Sequence, residues 1–548
     1  MKKYLIALSA LAFATTSCYE KLNIAPPNAI TNEQVQELLK TADDATVQTI
    51  MGAIADALPP HMYGRGYNFR YSGNLDNTWS GQLIARLSCG NDIVEGNWQN
   101  PGDNYYNGEN ITGETNANNP SWWHRAFVMT VNANKVFGMV NEELIATNPN
   151  KKLKEYLGRA YVIRAFGYLY AQETFGTNSL GMPIYTKYDV GQPAVARASA
   201  KETLDSVIRW ATRADELFAD AGIGFKATPT SDLTRGLTNY VIARAALLAA
   251  DAQGVTASTY FTTASDACDR ILAGGASLMT EEQYVQKQSG VTTIDGADYP
   301  VWKAATSGFM NFDLNPEALY GFGWQYGGGG QIVAYANTWG GSYRIDNRLY
   351  DKIDDNDYRK DNFHKDIPED FPTIYYAGSS SFIDGGQSNV PTYWTSKFTN
   401  NVGLGGGVGN SNEALRNRID YAFVRLSEIY LLKAEAQARG GDKSGARSTL
   451  NTLLAARTAA GKTPLTCDNY ESMKGMDELQ MVQFQSRIEL WGEGGLEWFN
   501  NRRWNIPVNR SGSTVHWNPA MTYPVSQMTM KIPSEEISSN PNFGPQNP

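Results

Sequence analysis

The sequence predicts a mainly α-helical protein: a tetratricopeptide-type helical repeat scaffold that carries a loop-rich insertion containing short strands. Three observations lead there. Apolar residues recur at helical spacing over long stretches at both ends of the 548-residue chain. Two helix pairs, far apart in the chain, look like copies of one another. Between them the composition changes abruptly.

The chain opens with MKKYLIALSALAFATTSC, in which two lysines precede a short apolar run from Tyr4 to Ala14. That is the pattern of a secretory signal, predicted over residues 1–17 and too short to span a bilayer as a helix. The small residues Thr15, Thr16 and Ser17 before Cys18 resemble a bacterial lipobox, which makes Cys18 the expected lipidation site at the head of a tether over 18–30. Two or more acyl chains, at about 0.8 kcal/mol per buried methylene, give stable attachment. The helical pattern then begins with TNEQVQELLKTADDATVQTIMGAIADAL, with Thr31 as N-cap and Pro59 and Pro60 as the stop. Further helices are predicted over 121–146, 151–175, 201–219, 233–253, 257–273, 413–439, 443–458 and 477–504.

The repeat lies in IARAALLAADAQG, ending at Gly254, and EIYLLKAEAQARG, ending at Gly440, each followed by a second helix. Small residues let such helices approach closely and Gly closes the turn, as a tetratricopeptide-like repeat of roughly 34 to 40 residues requires. Copies separated by an insertion imply one domain over 31–548, with scaffold at about 31–60, 121–275 and 411–505 and an extended C-terminal segment at about 506–548. The insertion, about 277–410, is rich in Gly, Asn, Asp, Tyr and Trp, with strand-like runs such as ALYGFGW and IVAYA; 61–120 has the same character. Loops on a rigid scaffold are where recognition residues concentrate.

Composition narrows the function. The chain is 42% hydrophobic and 19% charged, and 47 basic against 56 acidic residues give a net charge of -9. Nucleic acid is an unsuitable main partner for such a chain, since that affinity comes from neutralising phosphates with Lys and Arg. Neither CxxC nor a Cys/His cluster occurs, and His61, His124, His364 and His516 are far apart, so neither a zinc site nor another metal is expected, nor any cofactor. Cys89, Cys268 and Cys467 read as small buried apolar residues. The surplus is aromatic: 13 Trp, 30 Tyr and 20 Phe.

Several segments together match a known family. GRAYVIRAFGYLYAQETFG followed by MPI, then RIDYAFVRLSEIYLLKAEAQA, RIELWGEGGLEWFNNRRW and the ending IPSEEISSNPNFGPQNP occur in an order that resembles the RagB/SusD family of Bacteroidetes surface lipoproteins. The resemblance implies a SusD-like fold, an outer-membrane lipid anchor facing the exterior, and non-catalytic capture of nutrients, usually glycans. It also implies a partner, a SusC-like TonB-dependent transporter on which the lipoprotein sits as a lid. Where the family usually has Asp then Leu ahead of the double Arg, this chain has Asn500 and Asn501, so an ion pair from that Asp to the arginines is expected to be missing.

Candidate residues fall into two kinds. Glu489, Glu493 and Glu497, four apart on a predicted helix, have the spacing of a glycosidase carboxylate pair. With Arg487, Arg502 and Arg503 close by in sequence they read better as structural ion pairs, and no enzyme activity is expected. Asp354, Asp355 and Asp357 lack the register of a calcium loop and read as a solvated turn; the glycines at 327–330 are not followed by a Lys-Ser/Thr pair, so they are no P-loop. The aromatic loops carry the positive case. A sugar ring offers C–H groups on a face and hydroxyls at its edge, which suits a flat aromatic platform beside Asn, Asp or Gln. The segment CGNDIVEGNWQNPGDNYYNGEN supplies Asp92, Asn97, Trp98, Asn100, Tyr105 and Tyr106, and the insertion supplies Trp324, Tyr326, Trp339 and Tyr343. By contrast Trp123, Phe127, Asn134, Trp491, Trp498 and Trp504 are expected in the scaffold. The function expected is cell-surface capture of oligosaccharide for a transporter; the alternative is the same lid role with a peptide or other non-glycan nutrient, because a fold does not fix its cargo.

Overall fold

The computed structural model describes residues 30–63, 82, 86–87, 89–94, 119–188, 194–294, 297–303, 308–309, 312–322, 344–366, 392–397, 421–494 and 496–547. Within them the architecture is mainly helical: α1 (Asn32–Leu39), α2 (Asp44–Ala55), α3 (Asn119–Met139), α4 (Lys151–Phe175), α5 (Ala200–Ala221), α6 (Arg235–Ala249), α7 (Ala257–Leu272), α8 (Leu426–Gly440), α9 (Lys443–Ala456), α10 (Glu478–Glu489) and α11 (Leu496–Arg503). Each helix from α3 to α9 packs on the next, and α10 closes the row against α8. The contact between α7 and α8 is the informative one, because some 150 residues of chain separate them in sequence and none in the stack. The insertion is therefore looped out of an unbroken helical solenoid, as the separated repeat copies predicted.

Polar caps start the helices. Asn150 accepts from the backbone N–H groups of Lys152 and Leu153, Ser199 from Glu202, and Asp477 forms a reciprocal box with Gln480, each such cap contributing about 1 kcal/mol. Caps also explain where the predicted boundaries fail. The stretch from Thr31 is two helices, because Asp43 accepts from Thr46 N–H at 2.9 Å and starts α2 afresh. The helix predicted over 121–146 stops at Met139, and Asn141 caps a separate short helix, Glu142–Thr147. The one predicted over 477–504 is broken between α10 and α11, where Gly492 and Gly494 take φ of 75° and 59°, a region closed to most side chains. The repeat turns are closed by Gly254 (φ 78°) and by Gly441 (φ 91°), one residue beyond the expected Gly440, which remains helical.

The strands are short. Lys287–Ile294 (β2) and Ala297–Lys303 (β3) form a hairpin, and Ala318–Phe322 (β4) pairs antiparallel with Tyr421–Arg425 (β8). The second pairing corrects the helix predicted over 413–439: the alternating YAFVR is extended, and the helix starts only at Leu426. A four-stranded sheet runs in the order β1 (Ile93–Val94), β5 (Arg344–Ile345), β7 (Trp394–Thr395), β6 (Phe363–His364).

The core is apolar and aromatic. Trp123 sits 4.5 Å from Phe127 and 5.2 Å from Phe175, and at 5.8 Å it meets Phe543 from the C-terminal motif. Nearby, Asn547 ties that motif down by donating to the carbonyls of Phe175 and Met530. Trp491 and Trp498 are buried, as expected of scaffold, and Trp504 is half-buried. Cys89, Cys268 and Cys467 are buried, as expected.

Candidate functional site

The four-stranded sheet brings distant parts of the chain together. Ile93 pairs with Ile345, Val94 with Arg344, and Arg344 with Trp394 on its other side. The Asp346 N–H reaches the Asp92 carbonyl at 2.9 Å and extends the ladder. Segment 95–118, with Trp98, leaves the chain directly after Val94, and segment 323–343, with Trp324 and Tyr343, ends directly before Arg344. The roots of the two aromatic segments are thus hydrogen-bonded neighbours, although 250 residues apart in sequence.

Of the predicted ligand residues, Asn97, Trp98, Asn100, Tyr105, Tyr106, Trp324, Tyr326, Trp339 and Tyr343 lie outside the described residues, as does Cys18. Asp92 lies inside them and corrects the expectation. It is 2% exposed, and both carboxylate oxygens accept from Arg487, Oδ2 from Nε at 2.7 Å. Its N–H points at Glu497 and its carbonyl accepts from Trp491 Nε1 at 3.0 Å. Asp92 fastens the root of the first segment to the late helices, with both carboxylate oxygens engaged by Arg487 among the described residues.

The three glutamates are structural, but their partners differ from those expected. Glu489 meets Arg359 at 3.1 Å, Arg425 at 3.0 Å and Arg457 at 3.0 Å, all fully buried. Glu493 pairs with Lys397 and Arg425, both at 2.7 Å; Glu317 pairs with Arg425 and Arg457, and Asp357 with Arg359, all at 2.5 Å. Burial pushes the Glu489 carboxyl up, yet the charges of Arg457, Arg425 and Arg359 outweigh it and hold the group well below the usual carboxylate range. Burial brings Lys397 down to about 8 against the pull of Glu493. Glu497 stands apart: its Oε1 accepts the Asn91 N–H at 2.5 Å, and burial followed by the Asp92 charge pushes it up to about 8. The network knits the insertion (Glu317, Asp357, Arg359, Lys397) to the strand and helices of the stack (Arg425, Arg457, Glu489, Glu493). The sequence flagged Glu489 and Glu493 as ion-pairing residues but not their partners, which are scattered over the second half of the chain.

Arg487 is taken by Asp92, Arg502 donates to the carbonyls of Glu173 and Gly176, and Arg503 pairs with Glu435. Asn500 accepts from Arg503 Nε at 3.0 Å, so the Asn substitution keeps a hydrogen bond while Glu435 supplies the carboxylate. Of the acidic turn, Asp355 is a surface partner of Lys360, whereas Asp357 is fully buried in the network rather than solvated. Among the described residues no group of three or more His, Cys, Asp or Glu side chains is placed to hold a metal ion. A narrow cleft lined by Asp92, Arg487, Trp491, Asn500 and Trp504 has room for about one water, far less than a sugar ring needs.

Comparison with known proteins places this architecture. A model described as the SusD family matches residues 283–548, and a second, "Starch-binding associating with outer membrane", matches residues 81–232. No curated protein matches the chain. Among solved structures, a SusD superfamily protein from Bacteroides thetaiotaomicron VPI-5482 is 17% identical with a TM-score of 0.62, covering 95% of this chain and 100% of that one. A SusD-like carbohydrate binding protein from Bacteroides vulgatus ATCC 8482 is 19% identical with a TM-score of 0.62, covering 92% and 97%. Surface glycan-binding protein A from Bacteroides uniformis is 15% identical with a TM-score of 0.59, covering 91% and 99%. At such identities the structural likeness establishes the fold, and with the two family models spanning most of the sequence, this chain belongs to the RagB/SusD family.

Proposed function

We propose that the protein captures oligosaccharides at the cell surface and delivers them to a SusC-like TonB-dependent transporter, without catalysis, from an outer-membrane position secured by lipid on Cys18. The observation that carries this reading is the pairing of Val94 with Arg344. It supports a common site because it fixes the start of the segment bearing Asn97, Trp98, Asn100, Tyr105 and Tyr106 beside the end of the segment bearing Trp324, Tyr326, Trp339 and Tyr343. The matching family model described as starch-binding and outer-membrane-associating, and the carbohydrate- and glycan-binding proteins that share the fold, support a sugar as cargo. A ring-on-ring contact contributes about 0.5 to 1.5 kcal/mol beyond area burial, so several aromatics acting together give micromolar to millimolar capture, weak enough to release cargo to a partner.

Affinity electrophoresis of the full mature chain against a panel of polysaccharides tests the proposal. Wild type is expected to be retarded by at least one glycan and Trp98→Ala to run free of it. Binding of peptides with no retardation by any glycan would contradict the sugar reading, and release of reducing ends would contradict the non-catalytic one.

A further inference from the structure

Beyond the two predicted segments, one exposed tryptophan stands out among the described residues. Trp517 lies in the C-terminal segment, in VHWNP, and is 40% exposed; among the described aromatic residues only Tyr188, at 51%, shares the exposed class of large hydrophobics. One exposed ring is ordinary by itself. Its setting is not. The strap that leads to it is fastened residue by residue to the strand pair that roots the aromatic segments. Arg510 donates to the Gly90 carbonyl, Asn509 N–H to Asn91 Oδ1 at 2.7 Å, and Thr514 N–H to Asn347 Oδ1 at 2.8 Å. Arg344, the register partner of Val94, donates from Nη2 to the Val515 carbonyl at 3.1 Å, and His516 Nε2 is 3.1 Å from the Asn91 carbonyl. Val515 and His516 are buried, so the residues on which Trp517 stands are locked into the sheet base.

We infer that Trp517 is an additional carbohydrate-stacking platform, supplied by the C-terminal strap and serving pyranose rings of the same oligosaccharide. The inference rests on the glycan reading above. Trp offers the large flat apolar face and N–H edge that a sugar ring requires. Because the strap is already ordered, the ring is presented at little conformational cost on binding. Thr514, three residues before Trp517, is exposed, so the same strap carries a hydroxyl side chain suited to the hydroxyl groups of a sugar.

The test is calorimetric titration of wild type, Trp517→Ala and Trp517→Phe with the glycan that binds wild type best, alongside a melting curve of each. Trp517→Ala is expected to weaken binding about threefold to tenfold, the range a single ring contact supports, at an unchanged melting temperature. Trp517→Phe, which keeps a flat ring, should retain most of the affinity. Unchanged affinity in Trp517→Ala overturns the inference and leaves the glycan reading standing. Equal loss in the Phe and Ala variants also overturns it, since a ring able to stack would then bring nothing. Absence of glycan binding by wild type overturns both.

Discussion

Within the helical stack, the faces of α6, α7 and α8 bury mostly apolar residues, among them Ala243, Ala246, Leu247, Ala264, Ala267, Ile271, Ile429, Leu432 and Ala436, around one buried ionic group in which Arg244 meets Glu173 and Glu428. Where the insertion meets that stack, the buried contacts are Arg359, Lys397, Arg425 and Arg457 against Glu317, Asp357, Glu489 and Glu493. Apolar helix faces tolerate exchange of residues of similar volume. A buried charge is intolerant, because its desolvation is offset only when every partner is in place. The apolar faces of the stack are thus the contacts that should tolerate exchange, and the ionic junction is what ties the insertion to the stack.

The comparison breaks or sharpens under substitution. The largest effect is expected for Glu489→Gln, which removes the one carboxylate that three buried guanidinium groups share and should lower unfolding stability by about 3 to 5 kcal/mol in urea titration. The wild-type acid response should carry the same signature. Glu489 and Glu493 are both held below their ordinary range in the folded state, so their contribution is present above the unfolded value near 4.5 and is lost as pH falls below it. A smaller loss, about 2 to 5 kcal/mol with no new pH dependence, is expected for Leu453→Ala, which opens a cavity at a fully buried position of α9. If the leucine truncation costs clearly more than the glutamate change, the charged junction is not the sensitive one. Gly441→Ala, forced to φ 91° between α8 and α9, should cost about 1 to 2 kcal/mol. Glu497 is expected to show in the pH dependence alone. Its carboxyl is raised, so the folded state keeps a proton that the unfolded state releases, and stability should fall as pH rises from about 4.5 towards 8. Glu497→Gln should remove that slope, which for one proton is at most about 1.4 kcal/mol per pH unit.

What sequence made legible follows from range. Helix periodicity is local, so the stack and its looped-out insertion could be read directly, whereas the expected helix over 477–504 was carried through Gly492 and Gly494, where α10 and α11 in fact part. The strand Tyr421–Arg425 was hidden because its partner, Ala318–Phe322, is about a hundred residues away. Distance hid the site's supports more thoroughly. Asp92 looked like a ligand residue in a polar loop because Arg487, which occupies it, is 395 residues further on. The pairing of Arg457 with Glu317 spans 140 residues. Trp517 escaped notice because its neighbours in sequence are unremarkable, and the bonds that Val515 and His516 beside it make to Arg344 and Asn91 appear only once the strap is folded onto the sheet.

The central claim is that the segments rooted at Val94 and Arg344 make one glycan site. A double-mutant cycle on Trp98→Ala and Tyr343→Ala, read as affinity for the best-bound glycan, tests it most directly. One shared site predicts that each change weakens binding and that the pair is non-additive by about 0.5 kcal/mol or more. Strictly additive losses, or full affinity in the double variant, would contradict it.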